Sequence, residues 1–460
     1  MDDPILLARI QFGLNIGFHI LFPSISIGLA WVLFYLRLRM TLGRGDTDWL
    51  EPAYYLWVKV FALTFALGVV TGIVMSFQFG TNWPGFMNKA GNVAGPLLAY
   101  EVLTAFFLEA TFLGVMLYGR ARVPGWLHLL ATFFVAFGTT LSAFWILALN
   151  SWMHTPQGFS VSDGVLYAED WWAIIFNPSQ PYRLAHMLIA SGLTVAFLIA
   201  GVSALQLLRE RTHGPAARML RIGVIMGAML APVQMVVGDL HGLNTLEHQP
   251  AKIAAMEAIW HTEKSVPLVL FAVPNAEERR NDYAITIPYG ASLILKHDPR
   301  AELTGLDAFD GEHPPVAPVF FAFRLMVGIG VLMLALSWWG AWQLWRSGGL
   351  GRGTLRAFAA ATFIGWVAVL AGWIVTEVGR QPFLVQGVIT VAEAASAVPA
   401  PSIALSLLGY AAVYAVLLIA YVLVLTQLTL KEVDGGEHEE AALVRGPGGA
   451  GPRGSYEVGK

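Results

Sequence analysis

Apolar runs of about 20 residues, long enough to cross a bilayer as a helix, recur nine times along the chain. They lie near 12–36, 53–79, 95–119, 125–149, 183–208, 219–240, 318–345, 355–378 and 403–428. This pattern predicts an all-α integral membrane protein, a bundle of nine transmembrane helices. The polar breaks carry a second pattern. Arg37, Arg39 and Arg44 follow the first run, and Arg120 and Arg122 follow the third. Arg209, Arg211, Arg218 and Arg221 follow the fifth, and Arg346, Arg352 and Arg356 the seventh. The second connection offers only Lys89, while Arg183 and Arg380 sit at helix ends flanking the fourth and eighth. Basic loops stay on the cytoplasmic side, so the alternation predicts the N-terminus outside and the C-terminus inside.

The same reading divides the chain into four parts. Residues 1–240 hold helices one to six, and 241–317 form a long outer loop. Residues 318–430 hold helices seven to nine, and 431–460 form a charged, then Gly-rich tail expected to be disordered. The long loop contains a short apolar segment, IPYGASLIL, too short to span. Loops of this length are usually functional or disordered. No sequence repeat stands out.

Composition narrows the class. The chain has 460 residues, is 56% hydrophobic and only 13% charged, about half the charge of a soluble domain. Its net charge of -3 gives no reason to expect nucleic acid. With no cysteine, disulfides, iron–sulfur clusters and thiolate chemistry are excluded. The N-terminal MDDPILLARIQ is acidic and lacks the basic start of a cleavable signal peptide.

Ionisable side chains within spans are costly and are functional candidates by default. Here they are His19, Lys59, Glu101, Glu109, His186, Asp239, Arg324 and Glu377. At about 1.5 Å per residue, His19 lies about 10 Å below its outer helix end, Glu101 about 9 Å, His186 about 5 Å and Met326 about 12 Å. Glu377 lies near the outer end of helix eight. Each has a plain alternative: an interface histidine, a packing methionine, a snorkelling arginine, a structural ion pair for Lys59. Together they put imidazole, thioether and carboxylate in the outer half of the membrane. Imidazole and thioether form the axial pair of electron-transfer haems. Arg324 and Arg380 offer the guanidinium fork that suits haem propionates. The rival class is a transporter or channel using intramembrane carboxylates; nine spans without a repeat fit it poorly.

Several motifs carry a family resemblance: RIQFGLNIGFH, FQFGTNW, YEVLTAFFLEATF, SAFWILALNSWM, GDLHG, QPAKIAAMEAIW, PVFFAFRLMVG and GWIVTEVGRQPF. Through them the chain resembles subunit I of the cytochrome bd-type quinol oxidases, from its N-terminus to about residue 428. The resemblance implies a bacterial inner-membrane respiratory oxidase that takes electrons from quinol and reduces dioxygen to water. It implies a low-spin haem b held by His186 and Met326, with Arg324 beside it. It implies a high-spin haem b held by Glu377, and an oxygen-reactive haem, usually haem d, held by His19 with Glu101 on its other side. The family is not uniform about the two high-spin pockets, so His19 and Glu377 can exchange partners. Trp373 and Arg380 join the cofactor-binding set. Glu109 resembles the residue on the proton route, and Lys252 and Glu257 the quinol-oxidising pair. On spacing alone, those two sit five residues apart on a short helix whose plain reading is a solvated amphipathic surface.

The implied partners are a subunit II, a small single-helix subunit, ubiquinol or menaquinol, dioxygen and membrane lipid. Two departures stand out. The loop resembles the family's short form, which lacks the extra segment some members carry after IPY, and Phe383 stands where many members have Trp. Some short-loop relatives resemble a cyanide-insensitive branch in which a further haem b replaces haem d.

Overall fold

Asp3 starts the first helix, its carboxylate accepting from the Ile5 and Leu6 amides ahead of Pro4. Helix α1 (Pro4–Leu21) runs into α2 (Pro23–Leu42) with a break at Phe22. Pro23 has no N–H for the His19 carbonyl. The Phe22 amide takes that carbonyl at 3.1 Å instead, and the Ser24 hydroxyl takes that of Leu21 at 2.7 Å. The first span is therefore a broken pair rather than one straight helix. In the computed structural model, residues 3–43, 45–209, 214–309 and 311–431 are described. Arg44 and Arg211, both read as loop charges, and the tail from 432 lie outside the described residues.

The remaining spans follow in order. They are α3 (Leu50–Thr81), then α4 (Pro84–Tyr100) continuing through a π-helix (Glu101–Phe106) into α5 (Phe107–Tyr118), and α6 (Gly125–His154). A hairpin of β1 (Phe159–Ser162) and β2 (Val165–Ala168) and the short α7 (Trp171–Ile175) lead to α8 (Gln180–Leu208) and α9 (Gly214–His248). The long connection holds α10 (Pro250–Glu257), β3 (Glu263–Lys264), a hairpin of β4 (Leu268–Asn275) and β5 (Arg280–Ile287), α11 (Gly290–Lys296) and β6 (Glu302–Leu303). Then come α12 (Val316–Ser347), α13 (Arg352–Ala360) and α14 (Ile364–Val378). After β7 (Phe383–Val385), β8 (Ile389–Thr390) and α15 (Val391–Ala394), α16 (Ala400–Lys431) ends the described chain. Among the described residues, eight helical segments are long and apolar enough to cross a membrane; the pair α13 and α14, bent by about 40°, makes a ninth.

Three sequence boundaries move furthest. Helix α1 begins at Pro4 rather than near 12, α4 begins at Pro84 rather than near 95, and α9 runs to His248, past the expected loop start at 241. Glu101 therefore lies about 25 Å along its helix, near its middle, not 9 Å from an end. His19 lies about 22 Å from the start of α1. The long connection is not irregular coil: IPYGASLIL ends β5 and forms most of α11.

Contacts sort the connections into two ends. At one, Arg37 donates to the Gly125 carbonyl at 3.2 Å, Arg218 pairs with Asp46 at 2.6 Å, and Arg120 pairs with Glu51. At the other, the Asn82 amide donates to Gln11 at 2.8 Å, and the Gln386 and Ser396 amides donate to the Met153 and Asn82 carbonyls. Between them, Phe22, Ile25, Leu29, Trp57, Phe61 and Tyr421 form a buried core. A second core at the loop-rich end joins Ile253, Ala254 and Met256 of α10 to Val269, Val319 and Phe320. That core takes α10 out of water, so it is not a solvated surface helix.

Candidate functional site

Helices α8, α9, α12 and α14 pack together and carry His186 and Met326. A β-carbon on Gly238 of α9 would stand 3.3 Å from His186 Cε1, and one on Gly372 of α14 would stand 3.0 Å from Met326 Sδ. His186 Nδ1 is buried without a hydrogen-bond partner. The His241 ring lies 5.6 Å from that of His186, centroid to centroid. It belongs to the GDLHG motif, which sequence reading left without a role. Trp373, half-buried, follows Gly372 on α14.

His19 faces α3 instead. Its Nδ1 lies 3.0 Å from Thr71 Oγ1, and a β-carbon on Gly72 would stand 3.1 Å from His19 Cε1. The Thr71 hydroxyl donates to the Leu67 carbonyl at 2.7 Å, so it accepts from His19 Nδ1–H. That fixes the tautomer and leaves the Nε2 lone pair free, the form in which histidine ligates metal.

Glu101, the first residue of the π-helix, accepts from Ser142 of α6 at 3.1 Å. Glu109 is buried, and its Oε1 has no partner. His19 is held by α3 and Glu101 by α6.

At the loop-rich end, Glu377 closes α14. Its carboxylate accepts from Arg380 at 2.5 Å and from Asn150 at 2.8 Å, and His154 Nε2 lies 3.9 Å away. Arg183 donates to Asn150 Oδ1 at 3.4 Å. Lys252 Nζ donates to Gln249 Oε1 at 3.0 Å and to the Thr376 carbonyl at 3.2 Å, and lies 3.1 Å from His154 Nδ1. Burial first, then the Arg183 and Arg380 charges, hold the Lys252 ammonium well below the usual lysine range, with Glu377 opposing them. Lys252 Nζ thus has three polar contacts within 3.2 Å. A cavity of about 560 Å³ opens beside Lys252 and Arg380, with Phe309 and Phe383 among its walls.

Glu257 leaves α10 on another side. Arg324 donates to its two oxygens at 3.4 and 2.6 Å and to the Val269 carbonyl at 2.6 Å, its guanidinium lying 4.7 Å from the Phe320 ring centre. Sequence reading put Arg324 beside a cofactor and Glu257 at the quinol site; the fold makes them one ion pair. It missed His154, Arg183 as more than a helix-end charge, Gln249 and His241. A signal was present for His154, four residues after Asn150 on one face of α6.

Known proteins agree with this architecture. Residues 7–433 match the family described as cytochrome bd terminal oxidase subunit I. The chain is 34% identical over 427 residues to cytochrome bd ubiquinol oxidase subunit 1 of Bacillus subtilis (strain 168), covering 90% of this chain and 91% of that one. It is 32% identical to cytochrome bd-II ubiquinol oxidase subunit 1 of Escherichia coli (strain K12), covering 92% of this chain and 95% of that one. Among solved structures, the bd oxidase from Geobacillus thermodenitrificans matches with a TM-score of 0.85 and 31% identity, over 93% of this chain and 99% of that one.

Proposed function

The chain belongs to the cytochrome bd terminal oxidase subunit I family, and from that premise we propose how its residues divide the work. It is a multi-pass subunit of a terminal respiratory quinol oxidase in the bacterial inner membrane, a quinol:oxygen oxidoreductase with haem cofactors. His186 and Met326 hold a low-spin haem b. Glu377 holds a high-spin haem b, and His19 holds haem d or a further haem b, with Glu101 on the oxygen-reactive side.

One observation carries this reading: His19, His186 and Met326 each face a glycine whose β-carbon would stand within 3.0 to 3.3 Å of the side chain. A glycine there lets each side chain lie against the neighbouring helix, a close approach that a β-carbon would bar. Bound haem supplies iron that passes single electrons from quinol to dioxygen.

The chain's own groups do the rest. Glu257, held in place by Arg324, accepts a quinol proton. Lys252 hydrogen-bonds a quinol oxygen by giving up one of its three present contacts. Glu109 relays protons toward Glu101. The arginine-rich end faces the cytoplasm, placing the long connection and α10 outside. Quinol, ubiquinol or menaquinol, docks there; subunit II and a small single-helix subunit complete the complex.

Met326→Leu tests the low-spin site, because it keeps volume and removes the thioether. In the purified oxidase the low-spin haem b band should disappear or become high-spin, with the other haems retained. An unchanged low-spin spectrum would reduce Met326 to a packing residue. Glu109→Gln should slow oxygen reduction about 10- to 100-fold without loss of quinol binding. Full turnover would move the proton path elsewhere.

A further inference from the structure

The Glu377 cluster holds more positive charge than its carboxylate answers. Arg183 and Arg380 are 6% and 4% exposed, and both reach the region of Glu377, Arg380 directly and Arg183 through Asn150. One carboxylate, its side chain 22% exposed, faces two buried guanidiniums. Arg183 Nε, Arg380 Nε and Arg380 Nη1 have no partner. Buried charged donors left unmatched are strongly unfavourable, and a guanidinium fork is shaped for a carboxylate. Arg380 and Lys252 also line the 560 Å³ cavity.

We propose that Arg183 and Arg380 form a seat for a second carboxylate besides Glu377, and that a haem propionate supplies it. This rests on the haem-bearing reading above and extends it to Arg183. Glu377 then balances one arginine and the incoming carboxylate the other, while Asn150 bridges the two halves. Arg183 acts as a positioning residue: it sets the charge around a haem edge and touches no substrate.

The test uses the intact oxidase with haem carrying ¹³C at its propionate carboxyls. Infrared reduced-minus-oxidised spectra and redox titrations compare wild type, Arg183→Gln and Arg183→Lys. Losing the Arg183 charge leaves the propionate less compensated and favours ferric iron. In Arg183→Gln the labelled carboxylate bands should therefore move and one haem midpoint potential should fall. Arg183→Lys should restore the potential in large part. Should the Gln variant lose its haem, the Lys variant decides through its labelled bands, since it keeps the charge but not the fork.

Unmoved labelled bands with unchanged potentials would overturn the proposal. A potential that instead follows added acetate or chloride, with label-insensitive bands, would make the occupant a free anion and also overturn it. Met326→Leu reads a different site, so failure there is separable from failure here.

Discussion

Glu257→Ala abolishes quinol-driven oxygen consumption, a loss of at least about 100-fold, while every haem band stays in place. Quinol must release two protons as it gives two electrons, and a positioned base contributes about 10²- to 10⁴-fold. Glu257 is 7% exposed, at the last position of α10. Its truncation also leaves Arg324 unpaired, and breaking a buried pair costs about 3–5 kcal/mol. That cost falls where α10, β4 and α12 meet, so local loosening could mimic lost chemistry. Glu257→Gln separates the two, since it still accepts from Arg324 and cannot take up a proton as a carboxylate does. An oxygen electrode with quinol, then with a small artificial reductant that bypasses α10, gives the readout. Normal quinol oxidation by the Gln variant would remove Glu257 from the mechanism.

Glu377→Ala should cost a high-spin haem signal and all oxygen consumption. The side chain accepts from Arg380 and Asn150 at once, so its removal leaves a buried guanidinium without its anion. Glu377→Gln keeps an acceptor for Asn150 and loses the charge. If that variant keeps the full high-spin spectrum and normal turnover, Glu377 is only the counter-ion of Arg380. Loss of the haem with the rest of the spectrum intact supports ligation.

Much of this was legible because lipid leaves a strong one-dimensional trace. A span must be apolar for about 20 residues, so helices, and the polar residues that break the rule within them, stand out. His186, Arg324 and Glu377 are visible for that reason. What the trace lacks is which side of a helix meets which neighbour. Lys252 and Glu257 read as a pair, yet one turns to α14 and the other to Arg324 on α12. Arg183 looked like a helix-end charge until Asn150 tied it to Glu377. The broken first span was less hidden, since a proline four residues after His19 removes its carbonyl's donor.

The π-helix at Glu101–Phe106 turns residue count into geometry. A π turn holds one residue more than an α turn. Deleting a single residue there and rewinding the segment as α-helix would leave everything beyond it on nearly the same bearing, because the wider turn absorbs its extra residue. Glu101 stands at the start of that turn and Glu109 beyond it. Counting at about 100° per residue from Glu101 therefore misplaces Glu109 by about one residue's rotation. A sequence without the extra residue would keep the second carboxylate facing the same neighbour, one position earlier in the chain.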